Sequence, residues 1–278
     1  MASSQHLGTA LVTGASSGIG AVYADRLAHR NYDLVLVARR LERLEEIAKN
    51  LSAKTGRKID VLAADLNNHA DLGRVEALLR AREDITLLVN NAGFGSGQPL
   101  LKSDVDKMEE MVGLNVTALM RLTYAAVSGF VARGRGAIVN IASIVAVAPE
   151  FLNGVYGGTK AFVLAFSQSL RHELASRGIK IQVVLPGGTT TEFWDIAGSP
   201  LDKIPPERRS LFMSTEDLVD AALAGFDQDE FVTLPTLPDV GEWEAYEAAR
   251  QKLLPHLRGA FPAERYHIEH EPPFSRAG

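Results

Sequence analysis

Short apolar runs alternate with longer segments of mixed polarity along most of the chain. Ala10–Thr13, Leu34–Ala38, Lys58–Ala63, Leu87–Asn90, Gly136–Ile141 and Lys180–Leu185 are the apolar runs. Their Val, Ile and Leu content predicts strands, and their near-continuous apolarity predicts strands covered on both faces. In the intervening segments apolar residues return at helical spacing. These predict helices over Ala21–His29, Leu41–Ser52, Ala70–Arg82, Asp104–Ala132 and Tyr156–Arg177. Strand and helix in regular alternation predict an α/β fold: a Rossmann-type doubly wound parallel sheet, flanked by helices on both faces, in a single domain.

After Pro186 the pattern changes. The next stretch is rich in Gly, Thr and Pro, with Phe193 and Trp194 inside it. It is too long for an ordinary connector, so a substrate loop is expected over about residues 188–213. Ser214–Phe226 reads as a helix with a Ser or Thr cap, Phe231–Leu234 as a strand at the sheet edge, and Trp243–Leu257 as a further amphipathic helix. The domain is expected to run from 9 to 258. Residues 1–8 read as a flexible N-terminus and 259–278 as a tail, poorly ordered over Glu269–Gly278.

Composition narrows the chemistry. Cysteine is absent from the 278 residues, which excludes disulfides, thiolate metal sites and a cysteine nucleophile. A net charge of −5 gives no reason to expect nucleic acid or an anionic membrane as partner. The N-terminal residues lack the basic region and apolar core of a signal peptide. No uninterrupted apolar run reaches the ~20 residues of a membrane span. A cytoplasmic protein is expected, with no metal.

Gly14, Gly18 and Gly20 stand between the first strand and the first helix. An open parallel sheet binds the phosphates of a nucleotide at that point. Glycine allows the sharp turn, its missing Cβ allows close approach, and the amides at the helix start favour an anion. Ser16, Ser17 and Ile19 complete the loop. The second strand ends at Ala38 and is followed by Arg39 and Arg40. An acid there would bond the ribose 2′-hydroxyl of NAD, whereas arginine accommodates the 2′-phosphate of NADP. Two adjacent cations at a helix start oppose the helix dipole, so a mere solvated cap explains them poorly. The expected cofactor is NADP(H).

Tyr156 and Lys160 lie four apart and share one face of a helix. A cation beside a phenol lowers its pKa from about 10, which makes tyrosine a general acid or base at neutral pH. Ser143 follows the fifth strand at the sheet edge where ligands bind, placed to hold a substrate oxygen.

Taken together these residues resemble the short-chain dehydrogenase/reductase family over about residues 8–235. The matching pieces are TGASSGIG (Thr13–Gly20), Asp65 in AADL, NNAG (Asn90–Gly93), Asn115 in GLNV, Ser143 in NIAS, YGGTK (Tyr156–Lys160) and Pro186–Gly187. The resemblance implies that Tyr156 exchanges the proton with the substrate oxygen. It implies that Lys160 tunes the tyrosine and bonds the nicotinamide ribose, that Ser143 orients the substrate, and that Asn115 helps hold a water linking Lys160 to solvent. It also implies that Asp65, with the Leu66 backbone, bonds the adenine. Asn91, Ala92 and Gly93 would pass along the cofactor, and Pro186, Gly187, Thr189 and Thr191 would contact its nicotinamide end. Asp65 is equally placed to cap the next helix, and Arg40 to face solvent. The sequence beyond Leu234 departs from many members by its additional helix.

The expected activity is NADP(H)-dependent interconversion of a carbonyl (ketone or aldehyde) and an alcohol by hydride transfer. A non-catalytic NADP(H) sensor, or an epimerase or dehydratase on the same fold, remains the alternative. Phe94, Phe193, Trp194, Ile196 and Leu201 suggest a hydrophobic carbonyl substrate. By resemblance, the long helices pair between subunits in a homodimer or homotetramer.

Overall fold

The computed structural model describes residues 6–267. The first residues of the chain and the tail Glu269–Gly278 lie outside the described residues. In chain order the elements of the first unit are β1 (Thr9–Thr13), α1 (Gly18–His29), β2 (Asp33–Ala38), α2 (Leu41–Thr55), β3 (Ile59–Ala63), α3 (His69–Ala81), β4 (Ile85–Asn90), α4 (Val105–Val112), α5 (Leu119–Arg133), β5 (Gly136–Ile141), α6 (Gly154–Leu174), β6 (Ile179–Val184), α7 (Phe193–Ile196), α8 (Pro206–Arg209), α9 (Thr215–Asp227) and β7 (Val232–Thr233). The seven strands form one parallel sheet in the order β3-β2-β1-β4-β5-β6-β7. The order reverses between β1 and β4, so the chains leaving those two strands part and open a crevice at the carboxyl edge.

The period-two geometry of a strand explains both cores. On β1, Ala10 and Val12 point to one face and Leu11 to the other. The first face packs Leu34, Leu36, Leu87 and Val89 under α1, α2 and α9, through Leu27, Leu44 and Leu218. The second packs Val35, Val37, Leu88 and Ile138 under α3, α5 and α6, through Val75, Leu122 and Leu170. Each such side chain contributes roughly 1.5–3 kcal/mol on leaving water. A polar ladder also crosses the sheet. Asn90 donates to Asn140 at 2.9 Å and to Thr123 at 3.1 Å, and Asn140 donates to Ser167 at 2.9 Å. Asn90 and Asn140 are register partners, so these bonds pin β4, β5, α5 and α6 at one level.

The helix expected over Asp104–Ala132 is not uniform. α4 stops at Val112, a π-helical segment spans Gly113–Ala118, and α5 resumes at Leu119. The inserted turn is at Asn115, and such turns gather at functional positions. The whole stretch Val105–Arg133 is long and apolar enough to cross a membrane by composition. Its Ala118, Leu122, Ala125, Ala126 and Phe130 pack in the core.

The chain divides into two compact units after Thr236. The second contains α10 (Val240–Leu253), capped by Asp239, with the rings of Trp243 and Tyr246 5.2 Å apart. α10 buries none of its residues.

Candidate active site

The loop after β1 turns through two left-handed residues, Gly14 (φ 66°) and Gly18 (φ 53°). A Cβ on Gly14 would stand 2.7 Å from the Asn91 side chain, and one on Gly20 would stand 2.3 Å from the Gly14 carbonyl oxygen. Gly20 thus seats α1 against the loop and does not line the cleft. Asn91 holds the loop from the other side: its amide donates to the Thr13 and Gly14 carbonyls, while the Asn91 and Ala92 backbones donate to the Thr13 hydroxyl. α1 starts inside the loop, at Gly18, three residues earlier than the periodicity predicts.

The α1 N-terminus differs from those of α3, α4, α9 and α10. Asn68, Asp104, Ser214 and Asp239 cap those four by accepting backbone N–H bonds. Ser17 makes no such bond, and the first turn of α1 carries no acid. Its amides and dipole face the cleft unanswered, an arrangement that favours an anion. Capping of α3 falls to Asn68, not Asp65. Asp65 lines the cleft, and its carboxylate accepts the Asn67 amide at 3.0 Å.

Arg39 and Arg40 both line the cleft at the end of β2 and are exposed. Arg39 has no hydrogen-bond or ion-pair partner among the described residues. Arg40 does not simply face solvent. It donates to Ser16 at 3.2 Å and Ser17 at 2.8 Å, and pairs with Glu192 at 3.1 Å.

At the far end of the cleft, Ser143 follows β5. Its hydroxyl donates to the Pro186 carbonyl at 3.3 Å and accepts the Val145 amide. Asn153 caps α6, which then presents Tyr156 and Lys160 one turn apart, each 6% exposed. The Lys160 ammonium donates to the Ile141 carbonyl at 2.8 Å and lies 5.8 Å from the Tyr156 ring centre. Burial lowers the lysine pKa from 10.5 to about 8. The expected lowering of the tyrosine by that lysine is not what the geometry produces. Burial pushes the Tyr156 phenol up to about 12, and the Ser143 side chain offsets only part of the rise. In a dry pocket the loss of hydration dominates, so the phenol keeps its proton at neutral pH.

Asn115 stands behind this group, 1% exposed. Its side chain accepts the Phe94 amide at 3.1 Å and donates to the Phe94 carbonyl at 2.8 Å and to Thr159 at 3.1 Å. It braces the segment after β4 against α6, one residue from Lys160.

The loop after β6 folds over the cleft on aromatic contacts. Trp194 donates to the Thr189 carbonyl at 2.8 Å and stacks on Phe212 at 4.8 Å. Phe193 lies 5.7 Å from the Tyr156 ring and fills the space beside Gly95, where a Cβ would meet it at 2.4 Å.

A single cleft of about 920 Å³ joins these groups. Every predicted catalytic or cofactor-binding residue lines it except Gly20 and Asn115: Gly14, Ser16, Ser17, Gly18, Ile19, Arg39, Arg40, Asp65, Leu66, Asn91, Ala92, Gly93, Ser143, Tyr156, Lys160, Pro186, Gly187, Thr189 and Thr191. Of the residues expected at the substrate, Phe94, Phe193, Trp194 and Ile196 line it and Leu201 does not. Glu192 and Arg43 escaped sequence reasoning, because nothing local marks an ion pair between residues so far apart. Gln98, Lys102, Val145 and Leu152 also line the cleft and escaped it, because only the folded chain brings them there.

Known proteins share this fold. A short-chain dehydrogenase from Sphingobium yanoikuyae, solved in complex with NADPH, superposes with a TM-score of 0.89 at 47% identity, covering 93% of this chain and 99% of that one. The bulky-bulky ketone specific alcohol dehydrogenase from Comamonas testosteroni gives 0.86 at 43% identity, covering 94% and 99%. The very-long-chain 3-oxoacyl-CoA reductase-B of Danio rerio is 37% identical over 203 residues, 72% of this chain. The chain spans 65% of that relative's length. The short chain dehydrogenase family model matches residues 8–199, from the glycine loop through the Tyr156–Lys160 helix to the loop beyond β6, and the chain belongs to that family.

Proposed function

We propose that the protein is an NADP(H)-dependent oxidoreductase that interconverts a ketone or aldehyde and an alcohol. The observation that carries this reading is the junction, in one cleft, of an uncapped helix behind a glycine loop, an arginine pair and a buried Ser143–Tyr156–Lys160 group. The cradle suits a dinucleotide phosphate: glycines keep the loop free of side chains, no acid opposes an anion in the first turn of α1, and Arg39 has no partner among the described residues. Gly14 to Ile19 would hold the pyrophosphate, Arg39 and Arg40 the 2′-phosphate, and Asp65 the adenine. Lys160, Pro186, Gly187, Thr189 and Thr191 would hold the nicotinamide end. When bound, the cofactor supplies or accepts the hydride.

The protein's own part is position and the proton. Ser143 and Tyr156 converge on the substrate oxygen. In reduction the phenol, protonated because burial raises its pKa, donates its proton to that oxygen as negative charge develops there. Lys160, anchored on Ile141, places a buried cation beside the phenolate so formed. Asn115 positions this end of the cleft by bracing Phe94 and Thr159.

The substrate wall favours a hydrophobic ketone. Phe94, Val145, Phe151, Leu152, Phe193 and Ile196 line it, and the volume is large. The solved relative named for bulky ketones is similar over almost its whole length, which supports a ketone with sizeable groups on both sides. The test is NADPH consumption on a panel of aryl ketones, small aldehydes and 3-oxoacyl thioesters. Turnover on bulky ketones is expected. Tight NADPH binding without turnover on any compound would favour the sensor alternative. An oligomer and a cytoplasmic setting belong to the same proposal. The exposed Tyr124, stacked on Phe166 at 6.4 Å, offers an aromatic patch on α5 and α6 for a second copy, which light scattering would detect.

A further inference from the structure

Glu192 and Phe193 are adjacent in sequence but serve opposite ends of the cleft. One Glu192 oxygen accepts from Arg43 at 2.8 Å, and the other accepts from both terminal nitrogens of Arg40 at 3.1 Å. Arg43 holds the carboxyl below its ordinary range against a burial penalty, and Arg40 adds to that effect. The group is therefore an anion at neutral pH. It lies beside Ser16 and Ser17, which Arg40 also touches. The next residue, Phe193, rests against the Tyr156 ring. Two residues thus link the arginine corner to the catalytic phenol. Any further anion that engages Arg40 competes with a carboxylate already in place, because a guanidinium has a fixed set of donors.

We propose that Glu192 is a displaceable internal anion: it latches the loop after β6 onto Arg40 and Arg43, and the 2′-phosphate of NADP(H) releases it by taking the Arg40 donors. The inference rests on the reading of Arg39 and Arg40 as phosphate-binding. Arg39, which has no partner among the described residues, offers the first contact, and Arg40 joins when Glu192 leaves. The loop segment carrying Phe193 and Trp194 shifts with it, so the phosphate that selects the cofactor also adjusts the wall beside Tyr156. Both ion pairs are close to half exposed, with side-chain exposures of 43–47%. The latch is therefore weak enough to be displaced.

The experiment uses the full chain and two probes that differ only in the phosphate, 2′,5′-ADP and 5′-AMP. The chain has two tryptophans, so a Trp243→Phe background leaves Trp194 as the only indole. In that background 2′,5′-ADP is expected to change Trp194 emission and to bind more tightly than 5′-AMP. Glu192→Gln is expected to tighten 2′,5′-ADP about fivefold, to leave 5′-AMP unchanged, and to carry the shifted emission without ligand. If the parent does not prefer 2′,5′-ADP, the phosphate reading of the arginines fails and the latch with it. If the parent does prefer it, but Glu192→Gln leaves that affinity unchanged or weakens it, the latch alone is overturned. Glu192→Ala serves as the second variant, since an exposed position tolerates either residue.

Discussion

The two ends of the cleft use charge in opposite ways. Tyr156 and Lys160 are 6% exposed, and burial moves both pKa values, the phenol up to about 12 and the ammonium down to about 8. Arg40, Arg43 and Glu192 are 43–47% exposed and hold one another through direct ion pairs. At the dry end the surroundings decide the protonation state and each group has one fixed partner. At the wet end the groups pair within reach of water and can exchange partners. A proton-transfer site needs the first property, while a site that admits and releases an anion needs the second.

The sharpest test of this contrast lies at the dry end. Tyr156→Phe removes one hydroxyl and keeps the ring against Phe193. It is expected to lower kcat by about 10²–10⁴, with cofactor binding retained. Full turnover in that variant would remove Tyr156 from the chemistry. The pH profile sharpens the point. Alcohol oxidation must begin from the phenolate, so its rate should climb from neutral to alkaline pH, whereas ketone reduction should not require that rise.

Lys160 should also leave a mark on stability. Its folded pKa lies below its ordinary 10.5, so between about 8 and 10.5 the unfolded chain binds more protons. Stability should rise with pH through that window, by on the order of 3 kcal/mol if the full shift is expressed. Denaturant unfolding at pH 8 and pH 10 would show it, and Lys160→Met should flatten the difference. A slope unchanged in the variant would mean that Lys160 is not the group responsible.

Smaller effects are expected at the wet end. Arg39→Ala with Arg40→Ala should weaken NADPH about tenfold and NADH hardly at all, because only the 2′-phosphate contact is lost. Added salt should erode the preference for NADPH while leaving kcat on saturating ketone nearly unchanged, since exposed charges are screened and buried ones are not. Equal loss of both cofactors would show that the arginines support the loop and do not select the phosphate. Smallest of all is the fivefold tightening expected from Glu192→Gln.

The alternation of apolar runs, with the short run Phe231–Leu234 at the sheet edge, was enough to read all seven strands and the parallel sheet. A run such as Leu34–Ala38 can be stable only when covered on both faces. The glycine loop was legible because left-handed turns and close approach demand glycine. The π turn at Asn115 was not, since Asp104–Ala132 keeps helical spacing and the extra residue shows only in the hydrogen bonding. The direction of the Tyr156 shift was misread for a related reason. Spacing places Lys160 one turn away, but it does not state how dry the pocket is.

The sequence by itself determined the strand order's raw material, the phosphate loop, the absence of an acid after β2 and the residue types that move a proton. These follow from local rules: period-two burial, positive φ, and the charge at a helix start. Only the tertiary structure decided that nineteen of the predicted site residues share one cleft with Glu192 and Phe193. It alone set burial against charge at Tyr156 and brought Glu192 to arginines about 150 positions away. Desolvation and partner choice depend on what surrounds a group in space, and neighbours along the chain do not carry that information.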